Sequence, residues 1–560
     1  ENLAARFATA TAFAGAVVGI RLRSPPEPAR TLLSPHPRTV ASTMIQRLAC
    51  SAALLATIAS TAHTQRTAAA NCAAVRKQSL TDVKITEAVA VTATRDSTTP
   101  VHVAHCRVAG TIGKEIHFIA LLPDAWNGKF FMGGGGGYVG SVDNSAIGSV
   151  DEGYASVGTD TGHEGSPIDA KWALGHPDRV ENFGHLAVHR TAEMAKALVK
   201  AYYGKDPERS YFRGCSNGGR QALMEAQRYP ADFDGIVAAA PALDFTNFAT
   251  SFIRNAQAAF PNPRATQGPA VPPEVLAFVE RRVLQACDAL DGVKDGTLED
   301  PRDCHFKLSS ITACPADRPG ADCLTKAQRT VLDRIYAPTS DARGEVYRGQ
   351  PFGGEGHGDG WPAWITGVGP HELIPGTGIV PSLQFAFGTE FYKYFVFGDS
   401  TWDYSKYDLR NWRRDTQKIA AILNTTDPEM KAFKARGGKL IIYHGWSDPA
   451  LNARQTIAYY DQVLKHDASA RDHARLFLVP GMFHCGGGTG PNEADWRGAI
   501  ADWVERGHAP DRVIARERGA KGSADKTHPL CAYPARAVYD GKGKTDDASS
   551  YSCKAPSSRP

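Results

Sequence analysis

The chain has 560 residues, 42% hydrophobic and 22% charged, a balance typical of globular proteins and long enough for a large core or more than one domain. Its 63 basic and 59 acidic residues leave a net charge of +4, with no dense Lys/Arg stripe, which excludes nucleic acid and an anionic membrane surface as expected partners. Beyond the leader described next, no run of about 18 uninterrupted apolar residues is present to span a bilayer.

In chain order, residues 1–43 begin with Glu and include SPPEPARTLLSPHPR, which has neither strand nor helix periodicity. They are read as an upstream extension outside the working protein. Residues 44–62 read as a signal peptide: Arg47 gives the positive start, LACSAALLATIA the short apolar run, and Ser60-Thr61-Ala62 the small-residue exit. Removing it takes Cys50 away and leaves ten cysteines: Cys72, Cys106, Cys215, Cys287, Cys304, Cys314, Cys323, Cys485, Cys531 and Cys553. An even count in an exported chain predicts five disulfides and a secreted or periplasmic location, and without a C-x-x-C pair zinc is the weaker reading.

From Cys72 the sequence alternates as strands do, most clearly over 115–122. Short strands follow at 129–132 and 154–159, a helix at 186–203, a strand at 210–213, a helix at 219–229 and a buried strand at 235–240. That alternation predicts a mainly parallel sheet covered by helices, an α/β domain whose first part is 63–245. Residues 246–434 break the pattern with Pro, Gly, Asp, Trp and Tyr and hold four cysteines. Alternation resumes over 435–560, with strands at 439–443 and 475–479 and helices at 453–464 and 494–505.

Gly214-Cys215-Ser216-Asn217-Gly218 is a G-x-S-x-G pentapeptide between a predicted strand and a predicted helix. A hydrolase needs its serine on such a tight turn, where the hydroxyl is exposed and nearby amides can hold an oxyanion. A base and an acid are then expected in the order Ser, Asp/Glu, His. Asp448 follows one sheet strand in HGWSDP, and His484 follows the next in PGMFHC. His444 is the rival base; it precedes Asp448 and so breaks the order. Gly133 to Gly137 follow an early strand and suit the other wall of an oxyanion hole. The same glycines open a rival nucleotide reading: Gly135, Gly137 and Gly140 spell G-x-G-x-x-G, with Asp160 about 20 residues on. That motif must open a helix, and 141–153 is a poor one. Asp288, Asp291 and Asp295, the last two each followed by a glycine (Gly292 and Gly296), place hard oxygens on tight turns and suit calcium, helped by carbonyls such as that of Val293, although the spacing is not that of an EF-hand.

GCSNGGRQALMEAQRYPADFDGIVAAAPA, CDALDGVKDG, HGWSDP and PGMFHC together resemble the tannase and feruloyl esterase family, over about Cys72 to Cys553. The resemblance implies an α/β-hydrolase fold with a large lid domain, here 246–434, inserted before the triad acid, and cleavage of aromatic hydroxy-acid esters of hydroxycinnamoyl or galloyl type. It implies Ser216 as nucleophile, Asp448 as acid and His484 as base, with oxyanion donors at Asn217 and in the Gly136–Gly137 turn. It also implies a structural calcium held by Asp288, Asp291 and Asp295 side chains and by the carbonyls of Val293 and Thr297. Thr297 stands where an apolar residue is usual, which matters little if only its carbonyl binds. The family also contains a hydrolase of mono(2-hydroxyethyl) terephthalate, whose lid arginine grips the free carboxylate; the matching stretch here, 381–388, has no arginine. Diacid half-esters are therefore the alternative substrate. Trp361, Trp364, Phe385, Phe387, Tyr392 and Tyr394 of the lid are available to stack on an aromatic acyl group. An inactive hydrolase-fold binding module is the competing class.

Cys215 directly precedes the nucleophile and Cys485 directly follows the base. If Ser216 and His484 meet, their neighbours come within disulfide range, and the resemblance points the same way, so a Cys215–Cys485 bond is expected. The rival is a free Cys215 thiol, with Cys72–Cys106, Cys287–Cys304, Cys314–Cys323 and Cys531–Cys553 as the other pairs and Cys485 left over.

Overall fold

A computed structural model describes residues 69–374, 376–517 and 525–556. The expected upstream extension (1–43) and signal peptide (44–62) lie outside the described residues.

Nine strands form one sheet: β1 (Val83–Val91), β2 (His105–Ile112), β3 (Ile116–Pro123), β4 (Lys129–Gly133), β5 (Ala155–Thr159), β6 (Arg209–Cys215), β7 (Gly235–Ala239), β8 (Lys439–Gly445) and β9 (Ala474–Val479). Their spatial order is β1-β2-β3-β5-β4-β6-β7-β8-β9. From β5 to β9 every pairing is parallel, whereas β1–β2, β2–β3 and β3–β5 are antiparallel. The sheet is thus mixed, with its parallel part holding the candidate site.

Strand chemistry follows coverage. β2 alternates buried and half-buried positions, while β7 is buried throughout and β8 almost so, as strands covered on both faces must be. On β8, Leu440 and Ile442 join the core cluster that also holds helices α1 (Ala187–Tyr203) and α2 (Asn217–Arg228) on one face. Ile441 and Tyr443 point the other way, towards the C-terminal helix Trp496–Arg506.

β7 and β8 are neighbours in the sheet, with Gly235 opposite Lys439, yet 199 residues separate Ala239 from Lys439. The intervening chain adds no strand to the large sheet. It forms α3 (Phe245–Ala259), α4 (Pro273–Cys287), the helix Lys326–Tyr336, α5 (Leu383–Glu390), several shorter helical segments and a small hairpin, Thr339–Asp341 with Gly344–Tyr347. This is the expected insertion, and two of the disulfides, Cys287–Cys304 and Cys314–Cys323, lie within it. Cys72–Cys106, Cys531–Cys553 and Cys215–Cys485 are also formed, so no cysteine of the expected ten is left free. Past β8, helix α6 (Ala453–His466) packs against β8 and β9.

The nucleotide reading fails on its own criterion. Between Gly140 and β5 the chain makes only a short 3₁₀ helix, Ile147–Glu152, and no α-helix. The Asp160 carboxylate is occupied by the amides of His117 and Gly162 and by the His117 ring.

Candidate active site

Ser216 stands between the end of β6 and the start of α2 with φ 62° and ψ −121°. Such a conformation in a non-glycine residue costs about 1–3 kcal/mol and persists only where the surroundings impose it. Here its N–H donates to Ala239 O at 3.1 Å, and its carbonyl accepts from Arg220 N and Ala242 N, each at 3.0 Å. The glycines around it are steric necessities. A Cβ on Gly214 would lie 2.4 Å from the Gly218 carbonyl, and one on Gly219 would lie 2.3 Å from Ala239 O.

Asp448 follows β8 and its side chain is wholly buried. Its Oδ1 accepts from the amides of Ala450 (2.8 Å) and Leu451 (2.9 Å), and its Oδ2 from His484 Nδ1 at 2.8 Å. Burial pushes this carboxyl up, but the His484 charge and the hydrogen bonds from His444 and His484 outweigh it and hold the group well below the usual carboxylate range. His444 ends up on the same oxygen, with Nε2 3.1 Å from Oδ2. The Cys215–Cys485 bond, with Cα atoms 5.9 Å apart, ties the residue before Ser216 to the residue after His484. The three expected residues are therefore brought to one place: Asp448 and His484 by a direct hydrogen bond, Ser216 by the disulfide of its neighbour.

Of the expected oxyanion amides, Asn217 is the first residue of α2, where helix N–H groups have no partner within the helix. Gly136 and Gly137 separate. The Gly136 N–H donates to Asp143 Oδ2 at 3.3 Å, whereas no group among the described residues accepts from Gly137, whose φ is +52°. Of the two expected glycine amides, that of Gly137 is the one without an acceptor among the described residues.

The lid aromatics also separate. Trp361 and Tyr392 are almost fully buried, and Tyr394 nearly so. Phe385 packs edge-on against Phe260 and Tyr404. Trp364 instead sits edge-on to the His484 ring, centroids 5.0 Å apart, and lies nearly parallel to Phe387. Phe387 in turn reaches to 3.4 Å from where a Gly137 Cβ would be. Two of the six aromatics thus flank the site.

Four further residues went unnoticed in the sequence. Tyr138 donates its hydroxyl to Phe387 O at 2.7 Å and fixes α5 over the glycine turn. Gln350 and Gln384 donate from the lid to the carbonyls of Asp448 (2.5 Å) and Pro449 (2.8 Å). Arg220, fully buried, donates to Asn217 Oδ1 (2.8 Å), Gly184 O (2.6 Å) and Phe183 O (2.9 Å), and burial lowers its guanidinium to about 9. Only Arg220 left a signal, since it lies one helical turn beyond Asn217. The others act through backbone carbonyls that no motif records.

In the 288–297 loop, Gly292 and Gly296 take left-handed φ of +93° and +83°. The loop's own amides point at its acids: Gly296 N to Asp288, Val293 and Glu299 N to Asp291, and Thr297 N to Asp295. Burial, with the Asp295 charge nearby, raises the Asp288 carboxyl and pushes Asp291 up to about 6. Hard oxygens crowded with like charge fit a divalent cation chemically. Among the described residues the tight three-ligand group is elsewhere, at His189, Glu225 and Asp232, where the Lys196 ammonium already lies 4.0 Å from Asp232.

Comparison with known proteins agrees with this geometry. Residues 101–554 match the family model for tannase and feruloyl esterase. An uncharacterized esterase of Xanthomonas campestris pv. campestris is 34% identical, over 91% of this chain and 94% of that protein. The mono(2-hydroxyethyl) terephthalate hydrolase of Piscinibacter sakaiensis is 31% identical, over 81% of this chain and 85% of its own length. The crystal structure of feruloyl esterase B from Aspergillus oryzae superposes with a TM-score of 0.76 at 27% identity, covering 87% of this chain and all of that one. With an α/β-hydrolase sheet, a serine on its strand-to-helix turn and relatives that are esterases, this chain is a carboxylic ester hydrolase and belongs to the tannase and feruloyl esterase family.

Proposed function

We propose that this esterase is exported and cleaves aromatic hydroxy-acid esters of hydroxycinnamoyl or galloyl type through an acyl-enzyme on Ser216. His484 takes the proton from the Ser216 hydroxyl as it attacks the ester carbonyl, and gives it to the leaving alcohol. Asp448 holds the imidazole by Nδ1 and stabilises its protonated form. The amides of Asn217 and Gly137 donate to the oxyanion. Water then attacks the acyl-enzyme by the same steps in reverse, with His484 again as base. Export is supported by five disulfides, which persist in oxidising compartments. Asp288, Asp291 and Asp295, with the carbonyls of Val293 and Thr297, would hold a calcium ion whose chemistry is structural: it neutralises the crowded carboxylates and fixes the lid loop.

The observation that carries the substrate reading is the aromatic pair beside His484, Trp364 and Phe387, together with the absence of arginine from 381–388. An aryl acyl group gains from stacking there, whereas a free carboxylate finds no cation in that stretch. Kinetics on methyl ferulate, methyl gallate and mono(2-hydroxyethyl) terephthalate test it. Either methyl ester should exceed the half-ester in kcat/KM by about 100-fold, the worth of one charge-assisted contact of 2–3 kcal/mol. Equal efficiency on the half-ester would reject it.

A further inference from the structure

Beside Asp448 lies a second histidine that the reaction just described does not use. His444, the next-to-last residue of β8, is about 1% exposed. Its Nε2 faces two oxygens, Asp448 Oδ2 at 3.1 Å and Leu451 O at 3.0 Å, and its Nδ1 faces Thr456 Oγ1 at 2.8 Å. A carboxylate and a carbonyl can only accept, so Nε2 carries the hydrogen. The Thr456 hydroxyl can then donate to Nδ1, and both ring nitrogens are satisfied.

The consequence falls on Asp448. A carboxylate turns broadly about its last torsion, so its plane is set by its donors. Oδ1 is fixed by the amides of Ala450 and Leu451, but Oδ2 receives, among the described residues, only His484 and His444. His484 sits in a glycine-rich loop and must exchange its proton during the reaction. His444 stands on a strand paired on both sides, and Thr456 on α6 locks its ring. Of the two donors to Oδ2, the rigid one is the one that does no chemistry.

We propose that His444 is a positioning residue for ester hydrolysis: it holds Asp448 Oδ2 in line with His484 Nδ1, with Thr456 fixing its tautomer. The inference rests on the Ser216–His484–Asp448 reading and extends it to a fourth and a fifth side chain. His444 then touches neither substrate nor the reacting atoms, and its loss should lower kcat and leave KM alone.

The test compares His444→Leu, His444→Gln, Thr456→Val and His484→Ala on methyl ferulate, with folding checked by near-UV circular dichroism. His444→Leu removes the donor at similar volume and should lower kcat about 10–100-fold, the effect of a misplaced catalytic group, with KM within about twofold. His444→Gln, which returns an N–H near the Nε2 position, should recover most of that loss. Thr456→Val should lower kcat by a smaller factor with KM unchanged. Wild-type kcat in folded His444→Leu, or equal losses in the Leu and Gln variants, would overturn the proposal, while an inactive His484→Ala leaves the triad reading standing. Full loss in His444→Leu with an active His484→Ala would overturn both, because His444 would then be the base. If the Leu variant does not fold, Thr456→Val decides, and a wild-type kcat there rejects the role.

Discussion

Strands β6 to β9 are mostly buried, β7 throughout and β8 in all but its first residue, and Ser216, Asp448 and His484 all lie just past the C-terminal ends of β6, β8 and β9. The inserted chain between β7 and β8 is built otherwise. It is a set of short helices and turns around an aromatic cluster, braced by the Cys287–Cys304 and Cys314–Cys323 bonds. Its contribution to the site is Trp364, Phe387, Gln350 and Gln384. The difference separates two tasks. A parallel sheet fixes strand ends to within a hydrogen-bond length, which a proton relay requires. A loop-rich lid can change its lining without disturbing that register, and the proposed function accordingly assigns the choice of acyl group to it. The two parts are joined where a lid glutamine grips the backbone of the acid itself.

The sharpest way to break the comparison is to remove chemistry from the sheet alone. Ser216→Ala and His484→Ala should each lower kcat on methyl ferulate by about 10⁴-fold or more, while the thermal midpoint moves by no more than about 2 °C. A large loss of stability would show that the site braces the sheet as well as using it.

Perturbing the lid alone should give the opposite signature. If the 288–297 loop holds calcium as proposed, a chelator should lower the melting temperature by about 3–4 °C, the effect in a chain of this size of losing an ion held at 100 to 1,000 times its dissociation constant, with little change in activity at low temperature. Elemental analysis that finds no calcium in protein prepared with calcium would reject the ion.

The seam between the two gives a comparable effect, seen as a pH dependence. Asp244 stands just before α3, where the insertion begins, and burial pushes its carboxyl up to about 6. The folded state therefore keeps a proton that the unfolded chain releases near pH 4. Its contribution to stability is complete below about pH 4 and is lost as the pH rises through about 6, a change on the order of 3 kcal/mol. Asp244→Asn should flatten that part of the stability profile in denaturant titrations at pH 4 and pH 7. An unchanged slope would mean that another group sets it.

Local chemistry made much of this protein legible in its sequence. The Gly214–Gly219 turn is dictated by backbone clashes, and strand–helix alternation is dictated by burial on two faces, so the expected elements around the site fall within a few residues of those observed. The order Ser216, Asp448, His484 and the flanking cysteines follow from chain position alone. Tertiary structure decided what depends on residues far apart in the chain. It decided that Gly136 spends its amide on Asp143 while Gly137 does not, and that Trp364 and Phe387 face the site while Trp361 and Tyr392 form core. It also placed His444, read in the sequence only as a rival base, on the acid's own oxygen. Periodicity records which side of an element is buried, but not which distant partner covers it, and a hydrogen bond to a backbone carbonyl leaves no mark on the residue that accepts it.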